Sequence, residues 1–208
     1  VLNRLVERSE RERILRPQAV YGYFPGQSEG DDLIIYEEPG SERERCRFTF
    51  PRQPSGKRRC ISDFFRPTSS GEQDVVAFQL VTVGQYASDF THDLFARDEY
   101  QEYLFWHGLM VEAAEGLAEF VHKRIRAELG FAGEDARSIP EMIKQHYRGS
   151  RYSFGYPACP NLADQDKILA LLGADRIQVQ LGDEDQLWPE ASTSAIVVHH
   201  PDAKYFSV

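Results

Sequence analysis

The feature that most constrains this chain is one long helical period set among short β-like runs. Between about Asp89 and Leu129, the residues Tyr103, Trp106, Met110, Ala113, Leu117, Phe120, Val121 and Ile125 recur at helical spacing. That spacing lays apolar side chains along one stripe of an α-helix, and an aromatic-rich stripe of this kind belongs to a core. The opposite face carries Glu112, Glu115 and Glu119 as one row of carboxylates. Periodicity by itself reads that row as a solvated face, with Glu119 and Lys123 as an i,i+4 pair. A helix of this length can be buried only against a sheet or other helices, so the strands decide the class.

Those strands come in succession rather than alternating with helices. Val20–Phe24 is aromatic and β-branched and closes at Pro25-Gly26; Leu33–Tyr36 follows, bounded by Asp31-Asp32 and Pro39-Gly40. Arg45–Phe50 alternates, with Cys46, Phe48 and Phe50 on one side, as a half-buried strand does. Turn-punctuated runs of this kind predict an antiparallel meander, not β-α-β units. Val75–Val83 is the most apolar candidate and is expected near the middle of the sheet. Further strands are expected at Ile177–Leu181, Ser194–His199 and Lys204–Val208. Helices are expected over residues 1–16, ended by Arg16-Pro17, from Ser138 as N-cap to about Tyr147, and from Asn161 or Asp164 through Leu172 to Gly173. The class is α+β in a single domain. Residues 1–19 read as an N-terminal helix and linker, and 20–208 as the domain proper.

Composition narrows the function. The chain has 208 residues with 33 acidic and 24 basic side chains, a formal charge of −9. Phosphate affinity needs clustered Lys and Arg, so a general nucleic-acid binder is not expected. With 41% hydrophobic and 12% aromatic residues, a packed core is expected rather than disorder. No apolar run approaches the ~20 residues that span a bilayer. The charged start at Val1-Leu2-Asn3-Arg4 resembles no targeting peptide. Without an initiator Met, the sequence reads as a piece of a longer polypeptide. Cys46, Cys60 and Cys159 are odd in number and widely spaced, which fits reduced thiols and a cytoplasmic setting. His199-His200 are adjacent, and neighbouring strand side chains point to opposite faces, so a shared metal is not expected there.

Gly-rich phosphate loops, the G-x-S-x-G elbow and H-E-x-x-H are all absent. Two irregular segments stand out instead. One runs from Gly149 to Pro160 (GSRYSFGYPACP); the other is Leu187–Ser194 (LWPEASTS), followed by His199–Phe206 (HHPDAKYF). Rigid loops rich in Pro, Gly and aromatics commonly hold ligands, and an Arg among small residues can clamp a carboxylate.

These segments resemble the C-terminal activation domain of cobalamin-dependent methionine synthase. The family pattern R-P-x-P-G-Y-P-A-C-P is matched by Arg151, Gly155, Tyr156, Pro157, Ala158, Cys159 and Pro160. W-P-x-A-S-x-S is matched by Trp188 to Ser194, and H-P-D-[SA]-K-Y by His200 to Tyr205. Cys60 with Ser62-Asp63-Phe64 is similar to C-L-A-D-F, and Gly30-Asp31-Asp32 to the family's G-D-D-I. The likeness extends from about Val20 to Val208, in order.

The resemblance implies a bent, twisted antiparallel sheet with surrounding helices. It also implies a methyltransferase component that binds S-adenosylmethionine for reductive methylation of cob(II)alamin to methylcobalamin. Carried over residue by residue, Asp63, Arg151, Tyr205 and Phe206 occupy ligand-binding positions, with Asp63 suited to the ligand's ammonium and Arg151 to its carboxylate or ribose. Ser153 matches a backbone contact, Tyr156 a position facing ligand and corrin, and Glu115 a carboxylate near the ligand. No side chain is expected to act as a catalytic acid or base, because the leaving group is a neutral thioether. The chain departs from the pattern where Tyr152 and Phe154 replace prolines, where Glu190 replaces a common Gly, and where Phe206 replaces a second Tyr. The cobalamin-binding D-x-H-x-x-G motif is absent, so the expected partners are a cobalamin-binding module elsewhere and a flavodoxin-like or other reductase as electron donor. The alternatives are a stand-alone S-adenosylmethionine-binding module and an activator of another corrinoid protein in trans.

Overall fold

The computed structural model describes residues 1–208. Six strands form one sheet in the order β3-β2-β1-β4-β8-β5, every neighbouring pair antiparallel. They are β1 (Gln18–Glu29), β2 (Asp32–Tyr36), β3 (Glu44–Thr49), β4 (Asp74–Thr82), β5 (Ser150–Ser153) and β8 (Ser192–Val198). A short hairpin pairs β6 (Gln180–Leu181) with β7 (Leu187–Trp188). The helices are α1 (Leu2–Glu12), α2 (Gln85–Ala96), α3 (Tyr100–Glu128), α4 (Ile139–Ile143) and α5 (Asp164–Leu172). The expected meander is present as β1-β2-β3, and β4 lies inside the sheet between β1 and β8.

Strand β1 serves two neighbours in turn. Its residues Gln18 to Gly26 pair with β4, while Gly26 to Glu29 pair with β2, so one strand changes partner along its length. The handover falls on Gly26, where a Cβ would lie 2.6 Å from Val76 Cγ2 and 2.8 Å from the Ile34 carbonyl oxygen. Only glycine lets the three strands approach so closely there.

Strand β4 is buried on both faces, which accounts for its nearly continuous apolar run. Val76, Phe78 and Leu80 join Leu33, Ile35, Phe48, Tyr152 and Ile196 in the main core, which α5 covers with Ile168, Leu171 and Leu172. Ala77 and Val81 face the other way, onto Ala118, Val121 and Ile125 of α3. Small residues at Ala77 and Ala118 bring that helix close to the sheet, and buried Gln79 donates from Nε2 to the Ala118 carbonyl oxygen (3.1 Å). Helix α1 packs beyond, where Leu5 and Ile14 meet Leu94 and Trp106.

Several boundaries differ from the sequence reading, each for a local reason. The single helix expected from Asp89 is two, α2 and α3, because Asp98 takes a left-handed conformation (φ 59°) that an Asp tolerates. Helix α1 ends at Glu12 with Arg13 left-handed (φ 52°), before the proline can end it. Helix α4 stops at Ile143, its Ser138 cap making no side-chain bond. Asp164 is the first residue of α5 rather than its cap, and it binds Lys167 Nζ (2.6 Å). Ile177–Leu181 divides into a 3-10 turn over Ala174–Ile177 and the short β6. Lys204–Val208 is not a strand; it is held through side chains, with the Tyr152 hydroxyl donating to the Lys204 carbonyl oxygen (2.9 Å).

Candidate functional site

Strand β5 forms one edge of the sheet, and its alternation sorts its side chains. Ser150 and Tyr152 turn toward the main core, while Arg151, paired with Val197 of β8, faces α3. Gly149 makes the tight entry possible. It has φ +81°, and a Cβ there would lie 2.2 Å from the Val198 carbonyl oxygen. Arg151 then reaches α3, where one guanidinium nitrogen donates to Glu115 Oε2 and to Glu119 Oε1, each at 2.9 Å. Only 12% of the Arg151 side chain is exposed. Burial opposes its charge, but the two carboxylates outweigh burial and hold its pKa above the usual arginine range.

This ion triad lines an open cleft of about 340 Å³ together with Ser153, Tyr147, Tyr156, Tyr205 and Gln145. Tyr147 is buried beside it, with the Arg126 guanidinium 4.1 Å from the ring centroid and the His122 ring edge-on at 5.2 Å. Arg126 is itself pinned by two bonds to Asp135 (2.9 and 2.8 Å). Lys204 Nζ donates to the carbonyl oxygens of Gln145 and Tyr147 (2.7 and 2.6 Å), tying the C-terminal segment to the cleft wall.

Tyr156 stands on a compact turn. The Gly155 amide donates to the Cys159 carbonyl oxygen (3.0 Å), the Cys159 amide to the Tyr156 carbonyl oxygen (2.9 Å), and Cys159 Sγ to the Ser153 carbonyl oxygen (2.9 Å). Burial pushes the Cys159 thiol up to about 12, so it remains an inert part of this turn. Tyr156 is 55% exposed. With Glu115 it separates the first cleft from a second, of about 220 Å³, edged by Gln165, Ser192 and Thr193.

Five of the seven residues named from the resemblance, Glu115, Arg151, Ser153, Tyr156 and Tyr205, therefore line one cleft. Two do not. Phe206 is buried, packed on Tyr152 (5.7 Å) and Phe64 (6.3 Å), so its ring belongs to the core. Asp63 sits in a 3-10 turn, Ile61–Phe64, and lines a different hollow with Phe64, His199 and His200. Its carboxylate accepts two bonds from Arg52 (2.8 and 2.7 Å) and one from the Cys60 amide (2.9 Å). Burial pulls its pKa upward, but these bonds prevail and hold it below the usual value. The two histidines follow the end of β8 rather than lying in it and line the same hollow with different partners: His199 pairs with Asp74 (2.9 Å), and His200 packs on Phe64.

Sequence reasoning missed Glu119, Tyr147 and Gln145 as cleft residues. Glu119 lies one turn after Glu115 and pairs with Arg151 rather than Lys123, a partnership 32 residues distant that no helix-local pattern contains. Tyr147 was expected at a helix end, and the early stop of α4 turns it into the cleft instead.

The profile of the family described as vitamin B12 dependent methionine synthase, activation domain, matches residues 2–208. The chain belongs to this activation-domain family. It is 48% identical to the methionine synthase of Mycobacterium tuberculosis over 98% of its own length and 18% of that protein. It is also 48% identical to the methionine synthase of Mycobacterium leprae, over 91% of its length and 17% of that protein. This activation domain thus spans under a fifth of those relatives. A solved structure described as the MetH reactivation domain bound to AdoHcy superposes with a TM-score of 0.92 at 30% identity, covering 99% of this chain and 65% of that one. No helix of the activation domain is long and apolar enough to cross a membrane.

Proposed function

We propose that this activation domain binds S-adenosylmethionine in the Arg151 cleft and presents its methyl group to cobalamin held by a separate module. The single observation that carries the reading is the buried Arg151 set between Glu115 and Glu119 at the mouth of a tyrosine-lined cleft, in a chain of this family. A cation flanked by carboxylates suits a zwitterion: Arg151 takes the ligand's carboxylate, and a freed glutamate takes its ammonium. Asp63 lines a different hollow and already binds Arg52 and the Cys60 amide, so we assign it to holding its own turn. Ser153 and Tyr205 border the same ligand, and Phe206 supports Tyr205 from the core side through Tyr152.

Cobalamin supplies the nucleophilic metal that accepts the methyl group, after an electron from a flavodoxin-like or other reductase. The chain's own residues have a simpler task. The sulfonium leaves as a neutral thioether, so no side chain need donate a proton. Arg151 and its glutamates fix one end of the ligand, and the cleft walls hold the methyl toward the open mouth, where alignment lowers the barrier. The exposed Tyr156 ring at that mouth supports delivery to a partner rather than sensing alone.

The test combines this domain with a cobalamin module and a reductant, following conversion of cob(II)alamin to methylcobalamin optically. Tyr156→Ala should slow remethylation more than it weakens S-adenosylmethionine binding. Equal losses would leave Tyr156 as scaffold, and no remethylation by the unaltered domain would overturn the reading.

A further inference from the structure

Beneath the Arg151 cleft lies a group of buried charges that the proposed chemistry leaves unused. Glu115, Glu119, His122 and Arg126 follow one another along the same face of α3, at steps of four, three and four residues. The first two reach Arg151, while the last two are wholly buried. One Arg126 nitrogen and both His122 ring nitrogens have no hydrogen-bond partner. Burying an ion pair such as Arg126–Asp135 is costly, and a well-packed apolar floor would serve stability at least as well. What the arrangement fixes is Tyr147, held by Arg126 against its face, by His122 perpendicular to it, and by Lys204 at its carbonyl oxygen.

The residue is only 7% exposed. Its hydroxyl makes no bond to the protein and is not sealed from solvent, and Tyr147 lines the cleft beside Arg151. Burial, and then the neighbouring Glu119 carboxylate, push its pKa up to about 12, which keeps the phenol a donor at neutral pH. A fixed donor beside an arginine matches a carboxylate, whose oxygens accept from both.

We propose that Tyr147 is a ligand-binding residue of this cleft, its hydroxyl donating a hydrogen bond to the carboxylate that Arg151 holds. The inference rests on the S-adenosylmethionine reading above and adds a recognition element to it. Tyr147→Phe keeps the ring and its contacts with Arg126 and His122, and removes only the donor.

The experiment measures affinity of the unaltered domain and of Tyr147→Phe for S-adenosylmethionine and for its decarboxylated analogue, the weaker ligand by displacement of S-adenosylhomocysteine. Loss of a bond to a charged group predicts about a tenfold weaker S-adenosylmethionine affinity. The analogue, lacking the acceptor, should change by less than about twofold. Unchanged S-adenosylmethionine affinity, or an equal loss for both ligands, would overturn the role of Tyr147. Failure of the unaltered domain to bind S-adenosylmethionine would instead overturn the functional reading on which the role depends.

Discussion

Arg151 and Asp63 are both charged residues carried by segments that resemble the family pattern, yet their surroundings differ in kind. Arg151 is buried, and its partners Glu115 and Glu119 are side chains of a helix, each roughly half exposed and free to swing away. Asp63 is the more exposed of the two, with 40% of its side chain open, but one of its partners is backbone. It accepts from a backbone amide three residues earlier and from both nitrogens of an Arg52 fork that also binds Asp31 (2.7 Å). A ligand can displace a half-exposed glutamate from Arg151, whereas the Cys60 amide ties Asp63 to its own turn. On the proposed reading, Arg151 is the charge available to a ligand and Asp63 the one engaged in local structure.

The largest effect that would sharpen this contrast is on binding. Arg151→Ala should weaken S-adenosylmethionine affinity by about 1.5–3 kcal/mol, the scale of a charge-assisted bond. Its stability should change by less than about 1 kcal/mol, because the half-exposed glutamates it leaves behind are screened by water. Calorimetry and thermal unfolding on the same sample would read both, and an unchanged affinity would remove Arg151 from the site.

Asp63→Asn should reverse the pattern. Loss of the carboxylate that caps Cys60 and pairs Arg52 should cost about 1 kcal/mol of stability, held down by its exposure. Affinity should fall by less than at Arg151. A binding loss equal to that of Arg151→Ala would break the contrast and show that Asp63 exchanges Arg52 for the ligand.

The smallest effect is a pH slope. Burial, then the charges of Arg126 and Arg151, hold His122 neutral, with its pKa well below the ordinary 6.5. The unfolded chain therefore binds a proton that the folded chain refuses. This contribution is complete above about pH 6.5 and is lost as pH falls below it. The lowered carboxylates Asp63 and Asp74 act in the same sense but only below about pH 4, where unfolded aspartate takes up its proton. Denaturation midpoints between pH 7 and 5 should thus fall more steeply for the unaltered domain than for His122→Asn. Parallel curves would mean that His122 accepts its proton without loss.

Much of the architecture was legible in the sequence because its signals are local. The alternation of Cys46, Phe48 and Phe50, the two-sided run of β4 and most of the apolar stripe of α3 each follow from a period within one element, but Phe120 of that stripe is 65% exposed and Ala114 and Ala118 take the buried places instead. The boundaries that moved depended on single residues, such as Asp98 and Arg13, entering left-handed conformations that composition does not require. The site divided similarly. The irregular segment around Arg151 announced itself through composition, and the family likeness named most of its companions. Glu119 and Tyr147 entered only through contacts between α3, β5 and the segment after α4, which no spacing along the chain encodes.

The most direct measurement of the central claim is a crystal structure of this domain soaked with S-adenosylhomocysteine. The ligand's carboxylate should lie within hydrogen-bond distance of Arg151 and the Tyr147 hydroxyl. Glu115 or Glu119 should have turned from Arg151 toward the ammonium, with the sulfur near the Tyr156 mouth and Asp63 still on Arg52. A ligand bound elsewhere, with the Arg151–Glu115–Glu119 triad undisturbed, would contradict the account.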